Sequence, residues 1–375
     1  MSDSGLGKMA IIRNYRPADK QAVLDLIARV WGLEVRDSYE FFWDWLHARD
    51  SICTNDKDIA LVIENNGMVC GYSGRVPIRF KAGDSLLKGN YAYATSTDPS
   101  IRGEGYGARM MKKHIESDIS IGSALSRATQ LWKRIAGREI VIKPGIKMVK
   151  MLDPAPFLQA RGVPSVLARV IATVWKLGTV LRMRVTAIGG KDKSNRRILE
   201  SIQEYPEEIN TLCQEFSRDF QYMVERDRDF LNWRFVLCPL GYENWLLREN
   251  GKVTGYIVYR FTMMNRRKIL LLLEIMAIVE KKKNYRFMLD HLCKEGIRGR
   301  ASDIQTLENG CPVLKGELKR QGFIQKKDVT PIIGTVNKEI AYVHDIWGSE
   351  KWFLGAGDAE FEFTFFKQGI KRREE

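Results

Sequence analysis

The chain lacks the cysteine and histidine patterns that hold metal ions or disulfide frameworks. Its six cysteines form no CxxC pair and show no framework spacing; they are Cys53, Cys70, Cys213, Cys238, Cys293 and Cys311. His291 and Cys293 form the single local His/Cys pair, on a predicted helix without further ligands nearby. We therefore expect no metal site. The cysteine spacing and the lack of a signal-peptide pattern favour reduced thiols, mostly in the core of a cytoplasmic protein.

The motifs of P-loop nucleotide sites, membrane-spanning helices and nucleic-acid binding are also missing. No Gly-Lys-Ser/Thr triplet occurs, which excludes a P-loop. A strongly apolar stretch at residues 163–180 is interrupted by Arg169 and Lys176. It therefore falls short of the roughly 18 to 20 uninterrupted apolar residues that a spanning helix needs. Lysine and arginine are spread along the chain without a recognition motif, so nucleic acid is not an expected partner.

The composition that remains is that of a packed globular protein with an excess of positive charge. The chain has 375 residues, of which 45% are hydrophobic and 10% aromatic, and its formal net charge is +14. This length suffices for two domains of ordinary size. The charge favours an anionic partner, such as a nucleotide, a nucleic acid, an acidic glycan or a lipid surface. A basic surface that serves only solubility is an equal alternative.

One short segment occurs twice in the chain. Residues 66–72 read Asn-Gly-Met-Val-Cys-Gly-Tyr, and residues 250–256 read Asn-Gly-Lys-Val-Thr-Gly-Tyr. A related aromatic cluster precedes each copy, at residues 41–45 and 231–235. Asn-Gly between two apolar runs predicts a β-hairpin in each copy. We infer that one module is written twice.

The predicted elements follow the same order in both copies. Helices precede each hairpin, and a further strand, a helix, another strand and another helix follow it. Strands in such mixed order, with helices between them, are typical of an α/β or α+β fold with a partly parallel sheet. We predict two tandem mixed-sheet domains at residues 1–153 and 196–363. A helical, basic linker at residues 154–195 joins them, and a basic tail follows at residues 364–375.

The linker contains a basic amphipathic segment at residues 163–184. Arg169 and Lys176 are seven positions apart and therefore share one face of a helix, and Arg182 and Arg184 add positive charge at its end. Two interpretations remain open. We favour a connecting helix that packs against one of the domains, and the alternative is peripheral contact with a membrane surface.

Only the first copy continues into a glycine-rich loop, at residues 102–107 (Arg-Gly-Glu-Gly-Tyr-Gly). The loop stands between a predicted strand that ends near Thr97 and a predicted helix. Glycines accept positive φ and let the backbone approach a ligand. Backbone N–H groups at a helix N-terminus bind anions, and a pyrophosphate is the natural ligand of such a loop. The glycine spacing differs from the dinucleotide fingerprint.

In this position the loop resembles the acyl-CoA site of the GNAT acetyltransferase superfamily. That family has a strand ending in Val-x-Pro, then Arg/Gln-x-x-Gly-x-Gly/Ala at the start of a helix. Thr97 stands here in place of the valine; the matching residues are Pro99, Arg102, Gly105 and Gly107. The resemblance implies a GNAT fold for both copies and acetyl-CoA as cosubstrate. The residues that it implies for acetyl-CoA binding are Thr95, Thr97, Arg102, Gly103, Glu104, Gly105, Tyr106, Gly107 and Ala108.

The residues that transfer protons in this family are only partly matched. The glutamate that acts as base in many relatives corresponds to Tyr91, which is a poor base but can relay a proton, and which is equally interpretable as a structural aromatic. The tyrosine that protonates the leaving thiolate corresponds to Trp132, whose indole cannot act as an acid. Ser126 lies beside the position of the family's asparagine. The catalytic candidates are therefore Tyr91 and Ser126, and the acidic residues that could face an amine are Glu34, Glu40 and Asp44.

The second copy has no counterpart of the loop. The repeat offset places residues 286–291 opposite it, and the bulky Leu289 and His291 replace the glycines. We therefore predict one acyl-CoA site per chain and a degenerate second domain. The segment Trp352-Phe353-Leu354, followed by Gly357-Asp358, resembles tandem acetyltransferase-like proteins of bacterial surface-sugar synthesis.

We accordingly expect a transferase that moves an acetyl group from acetyl-CoA directly to a small-molecule amine. An amino sugar of surface-polysaccharide synthesis leads as acceptor, and the positive charge of the chain favours an anionic one. A protein amine, an aminoglycoside-like polyamine or a cell-wall peptide amine are alternatives. A non-catalytic CoA-binding or interaction protein is a third hypothesis.

Overall fold

The computed structural model describes residues 10–47, 60–115, 118–123, 140–188, 196–264, 267–278, 280–308, 310–336, 339 and 351–358. Within these ranges, no helix is both long and apolar enough to cross a membrane. The elements up to residue 188 are β1 (Ile11–Asn14), α1 (Lys20–Trp31), α2 (Leu33–His47), β2 (Ala60–Asn65), β3 (Met68–Ala82), β4 (Ser85–Thr97), α3 (Tyr106–Ile115), β5 (Ile119–Ser123), β6 (Ile140–Met151), α4 (Ala155–Gln159) and α5 (Ser165–Ile188).

The remaining elements repeat this pattern with shorter connections. They are β7 (Arg197–Ser201), α6 (Ile209–Ser217), β8 (Tyr222–Val224), α7 (Arg228–Leu231) with a π-helical turn (Asn232–Val236), β9 (Glu243–Glu249), β10 (Lys252–Met264), β11 (Arg267–Ala277), α8 (Lys282–Arg298), β12 (Asp303–Glu308), α9 (Pro312–Arg320), β13 (Ile324–Val336) and β14 (Trp352–Phe353).

Both predicted hairpins are present, and their turns have the expected backbone. Asn66 and Gly67 connect β2 to β3 with φ values of 50° and 79°. Asn250 and Gly251 connect β9 to β10 with φ values of 53° and 84°. Positive φ at both central residues is the geometry that Asn-Gly favours in a two-residue hairpin, because it matches the twist of the flanking strands.

The first compact unit contains residues 1–143 and 332–349. Its mixed sheet has the order β1-β2-β3-β4-β5 and ends with residues 332–336 of β13. Neighbouring strands are antiparallel except β4 and β5, which are parallel. Helix α1 packs on β3 and β4, and α3 packs on β2, β4 and β5.

The second compact unit contains residues 144–331 and 350–375. Its mixed sheet has the order β7-β9-β10-β11-β12 and ends with residues 146–151 of β6. Again one pair of neighbours, β11 and β12, is parallel and the others are antiparallel. The strand order therefore matches that of the first unit position by position.

The last strand of each sheet comes from the other half of the sequence. Residues 332–336 pair with β5 in the first unit, and residues 146–151 pair with β12 in the second. The sequence predicts the domains at residues 1–153 and 196–363 as contiguous segments. The structure instead groups residues 144–153 with the second unit and residues 332–349 with the first. The predicted tail at residues 364–375 lies outside the described residues.

The expectation that cysteines lie mainly in the core agrees with the described residues. Five of them are buried and carry free thiols: Cys70, Cys213, Cys238, Cys293 and Cys311. Cys53 lies outside the described part of the chain. In the second unit, burial raises the pKa of the Cys213 thiol to about 12, which keeps it neutral.

Within the predicted linker, residues 155–159 and 165–188 are helical, and α5 contacts its unit along one side only. Among its side chains up to residue 178, only those of Ala168 and Ala172 are buried. Large apolar side chains such as Val166 and Val174 are 72% and 66% exposed. The helix contacts its unit through these alanines, through the Trp175 indole N–H, which donates to the Met151 carbonyl at 3.2 Å, and through the Lys176–Asp153 ion pair, while most of its large apolar side chains are exposed.

Candidate active site

The site begins where β4 and β5 stop pairing. Their parallel ladder ends with the pair Tyr91 and Ile121. Beyond this pair, residues 92–97 of β4 have no pairing with β5 within the described part of the chain. The strand end is therefore left with an edge whose backbone groups can pair with an extended ligand.

A β-bulge changes the direction of β4 in this unpaired stretch. Its register against β3 shifts between Tyr72 and Gly74, and Ala94 on β4 has a positive φ of 50°. The Ser96 hydroxyl donates to the Ala94 carbonyl at 2.9 Å and accepts from the Trp31 indole N–H at 2.7 Å. These bonds hold a backbone conformation that a residue other than glycine adopts only at a cost.

The turn after β4 is fixed by Asp98. Its carboxylate accepts hydrogen bonds from the Ser100 backbone N–H at 3.0 Å and the Ser100 hydroxyl at 2.8 Å. The Arg29 guanidinium pairs with it at 2.9 Å. The bonds to Ser100, together with this guanidinium, hold the pKa of Asp98 below its ordinary value. The glycine loop that follows therefore starts from a rigid turn.

The loop leaves a run of backbone donors without partners. The backbone N–H groups of residues 103–108 have no acceptor among the described residues, and the first bonded N–H is that of Arg109, which donates to the Gly105 carbonyl at 3.0 Å. Gly103 and Gly105 have φ values of 93° and 80°, and a Cβ built on either would meet nothing within 4 Å. Adjacent free N–H groups at the start of α3 form an anion site, and the open space above the glycines fits a pyrophosphate.

The side chains of two predicted cofactor residues, Tyr106 and Thr97, make contacts within the protein. The Tyr106 side chain is 4% exposed and packs among Leu61, Ile63 and Met110, and its hydroxyl accepts the Ala10 backbone N–H at 3.0 Å. Only the Tyr106 backbone is therefore available to a ligand. The Thr97 hydroxyl lies 3.3 Å from the position of a Cβ on residue 107, so a glycine there lets the helix start close to β4.

The other predicted residues divide between the loop and the strand. Arg102 is exposed, and its Nε donates to the Thr97 carbonyl at 3.1 Å. The Thr95 hydroxyl shares a 2.8 Å hydrogen bond with Ser73. Glu104 is exposed, whereas Ala108 is half-buried. Tyr91 lies at the point where β4 and β5 part. Ser126 lies outside the described residues.

The acidic candidates are exposed, and two of them form ion pairs with residues of α1 and α2. Asp44 is exposed and pairs with Lys20 at 2.8 Å, and Glu40 pairs with Arg36 at 3.4 Å. The backbone carbonyl of Glu34 accepts the Ser38 hydroxyl at 2.8 Å. The structure therefore presents these residues as surface groups of α1 and α2, which is the alternative reading that acidic residues near helix starts favour.

A buried polar cluster next to β4 was missed by the sequence reasoning. His47 ends α2 and stacks on Trp43 with ring centroids 4.3 Å apart. Its Nδ1 lies 2.7 Å from the Trp43 carbonyl, which can only accept, so Nδ1 carries the proton. Its Nε2 lies 3.4 Å from the hydroxyls of both Tyr72 and Tyr93, and the Tyr72 hydroxyl donates to that of Tyr93 at 3.1 Å.

Burial sets the protonation states in this cluster. Desolvation lowers the pKa of His47 below 6.5, and the bond to Trp43 only partly offsets it. Desolvation also raises the pKa of Tyr72 well above 10.0. At neutral pH the imidazole is therefore neutral, and the lone pair on Nε2 faces the hydroxyls of Tyr72 and Tyr93. This arrangement can accept a proton through a hydroxyl.

In the second unit, a protein segment occupies the place beside the sheet that corresponds to the glycine loop and its ligand space. Strands β11 and β12 pair only at two positions, ending with Leu271 and Gln305. Beyond them, residues 352–358 pack against β11, and a Cβ on Gly357 would lie 2.7 Å from Glu274 Oε2. Residues 286–291, predicted to stand opposite the glycine loop, lie inside α8 and form no loop.

Comparison with known families gives a match over part of the chain. Residues 11–126 match the family described as an acetyltransferase (GNAT) domain. This range includes β1 to β5, the glycine loop and the cluster around His47. No curated protein sequence matches the chain.

Comparison with solved structures shows the same fold over most of the chain. A GCN5-related N-acetyltransferase from Anabaena variabilis is 12% identical with a TM-score of 0.59, and the match covers 88% of this chain and 73% of that one. A probable N-acyltransferase from Enterococcus faecalis is 10% identical with a TM-score of 0.58, covering 89% and 74%. N-myristoyltransferase from Saccharomyces cerevisiae with bound myristoyl-CoA is 10% identical with a TM-score of 0.54, covering 89% and 85%.

Proposed function

Because residues 11–126 are a domain of the GNAT acetyltransferase family, we propose that the chain transfers an acyl group from acyl-CoA, with acetyl-CoA first, to an amine. The observation that carries this proposal is the run of backbone N–H groups at residues 103–108 that have no acceptor in the described part of the chain, below two glycines with open space at Cβ. This run would hold the pyrophosphate. The edge of β4 at residues 92–97 would pair with the pantetheine arm.

The cluster around His47 would take up the proton that the amine loses. The amine nitrogen bonds to the thioester carbon, the carbon–sulfur bond breaks, and the sulfur leaves as a thiolate that takes a proton. A neutral His47 can accept the amine's proton through the Tyr93 hydroxyl, because Nε2 lies 3.4 Å from it. Both tyrosines are buried, but Tyr93 lies on β4 beside the bulge at Ala94, on the strand whose edge would pair with the pantetheine arm, whereas Tyr72 lies on β3. We therefore assign the relay to Tyr93, with Tyr91 beside it as a further candidate.

The second unit would bind no acyl-CoA, which leaves one cofactor site per chain. Its connection from β11 to α8 has no glycine, and residues 352–358 fill the space beside β11. It would be a degenerate copy of the first. The resemblance that suggested an amino sugar acceptor rests on residues 352–354 and 357–358, which are buried in this unit. On the strength of this resemblance, an amino sugar is the first acceptor class to test in an amine panel. Protein, aminoglycoside-like and cell-wall peptide amines follow.

Replacing Gly105 by tryptophan is expected to weaken acyl-CoA binding by about 100-fold, equivalent to about 2.7 kcal/mol. The indole would occupy the space that the pyrophosphate needs above the loop. Titration calorimetry with acetyl-CoA and with CoA measures the effect. Gly67→Trp is a matched control, since Gly67 has a φ of 79° against 80° at Gly105 and equally open space at Cβ. It carries the same backbone strain and should leave binding unchanged.

Two results would reject this site. One is wild-type protein that binds neither acetyl-CoA nor CoA. The other is a Gly105→Trp protein that binds as tightly as Gly67→Trp. Release of free thiol in the presence of the amine panel then tests transfer itself, and its absence with every amine would argue against the acceptor classes named above.

A further inference from the structure

Helix α5 exposes an unusually apolar surface. Between residues 165 and 178, seven large apolar side chains are between 38% and 72% exposed; they are Val166, Leu167, Val170, Ile171, Val174, Trp175 and Leu177. Monomeric soluble proteins rarely leave a contiguous patch of this kind in water unless it binds something. The two buried side chains, Ala168 and Ala172, show which side contacts the protein.

The exposed residues occupy one side of the helix. At about 100° per residue, the seven apolar positions span roughly half of the circumference. Ala168 and Ala172 fall next to one edge of this arc. On the helix circumference, Arg169 and Lys176 lie between these alanines and the other edge of the arc, and both are exposed. A wide apolar face with cations on the opposite, polar side is the pattern of a helix that lies in the interface of a membrane.

The chain segment that contains the helix carries charge of a single sign. Between Asp153 and Asp192 the sequence contains no acidic residue, and its basic residues are Arg161, Arg169, Lys176, Arg182, Arg184 and Lys191. Lys176 forms an ion pair with Asp153 at 2.5 Å, so part of this charge is balanced locally. The remaining positive charge complements a surface of anionic headgroups.

We propose that α5 is a docking surface for a bilayer that contains anionic lipids. The apolar arc centred on Val174 enters the boundary between headgroups and acyl chains, and the basic residues contact the headgroups. The helix lies on the bilayer without crossing it, in keeping with the lack of any spanning helix in the described ranges. This docking does not depend on acyl transfer.

Sedimentation of the full chain with vesicles tests the proposal. We expect binding to vesicles of phosphatidylcholine with added phosphatidylglycerol, and weaker binding to phosphatidylcholine alone or at high salt, because the attraction is partly electrostatic. The double variant Val170→Glu/Val174→Glu should bind at least about tenfold more weakly, since it places two charges in the apolar arc. Leu237→Glu is the control, because Leu237 is 68% exposed elsewhere in the same unit.

The competing occupant of this face is a second copy of the chain. Wild-type protein that does not sediment with anionic vesicles overturns the proposal. So does a double variant that sediments as well as Leu237→Glu. If the double variant changes the mass measured by light scattering while vesicle binding is unaltered, the face is an interface between chains. Unchanged acetyl-CoA binding by the double variant verifies that the variant is folded. This control also separates failure of membrane docking from failure of the proposed transfer reaction.

Discussion

His47→Ala is expected to lower kcat of acyl transfer by about 10²- to 10⁴-fold, the usual contribution of a positioned general base. The KM for acetyl-CoA should change little, because His47 lies in the cluster with Tyr72 and Tyr93 and makes none of the loop contacts. Steady-state kinetics by thiol release measure both constants. If His47 is the proton acceptor, the loss should be confined to kcat. Misfolding would also abolish cofactor binding.

The two tyrosines provide the control for this relay. Tyr72 and Tyr93 place their hydroxyls at the same 3.4 Å from His47 Nε2. If Tyr93 conducts the proton, Tyr93→Phe should reduce kcat nearly as much as His47→Ala, and Tyr72→Phe should reduce it much less. Equal activity of all three variants and the wild type would show that the cluster is only a buried structural network.

The pH dependence of the wild type follows from the pKa of His47. Desolvation lowers this pKa below 6.5; Asp44 nearby acts to raise it, and Lys20 acts to lower it. The base is active when neutral, so kcat/KM should be constant above this pKa and fall as the pH decreases through it, below pH 6.5. His47→Ala should lose this acidic limb. A limb that persists in the variant would assign it to another group.

The sequence predicted those parts of the molecule that depend on local chemistry. Asn66-Gly67 and Asn250-Gly251 need positive φ, so the hairpins were visible in the residues themselves. The glycine loop was predictable for the same reason. Its spacing after Thr97 and before a helix defines a backbone geometry that few other sequences give.

The parts that were missed depend on contacts between distant segments. His47 meets Tyr72 and Tyr93 only because α2 packs beside β3 and β4, and no spacing in the sequence brings these three residues together. The pairing of residues 146–151 with β12 and of residues 332–336 with β5 was missed for the same reason. An apolar strand pattern shows that a strand forms but does not show which sheet it joins.

In the second unit, a buried ion network holds segment 352–358 against the sheet. Arg226 is fully buried and pairs with Glu274 at 2.7 Å and with Asp358, whose carboxylate also accepts the Gly355 N–H at 2.8 Å. This network ties residues 355–358 to β11, beside the place where a ligand would enter. The guanidinium also lies 4.8 Å from the centre of the Phe353 ring. Segment 352–358 is therefore held by charge as well as by packing.

Arg226→Met is expected to lower the free energy of unfolding of this unit by about 3–5 kcal/mol, because it leaves two buried carboxylates without their cation. Chemical denaturation monitored by tryptophan fluorescence measures the loss. Arg298→Met is the matched control: Arg298 pairs with Glu295 at the surface with 74% of its side chain exposed, and an exposed pair of this kind contributes about 0.2–1 kcal/mol.

A triple variant separates the charge from the packing. Arg226→Met/Glu274→Leu/Asp358→Leu removes both stranded carboxylates, so it should recover a large part of the stability that Arg226→Met loses, since replacing a buried ion network by apolar groups is often neutral. Equal unfolding free energies for Arg226→Met and Arg298→Met would mean that water reaches the network and that segment 352–358 is not fixed by it. Acetyl-CoA affinity should be the same in all folded variants, because the free backbone donors at residues 103–108 belong to the first unit.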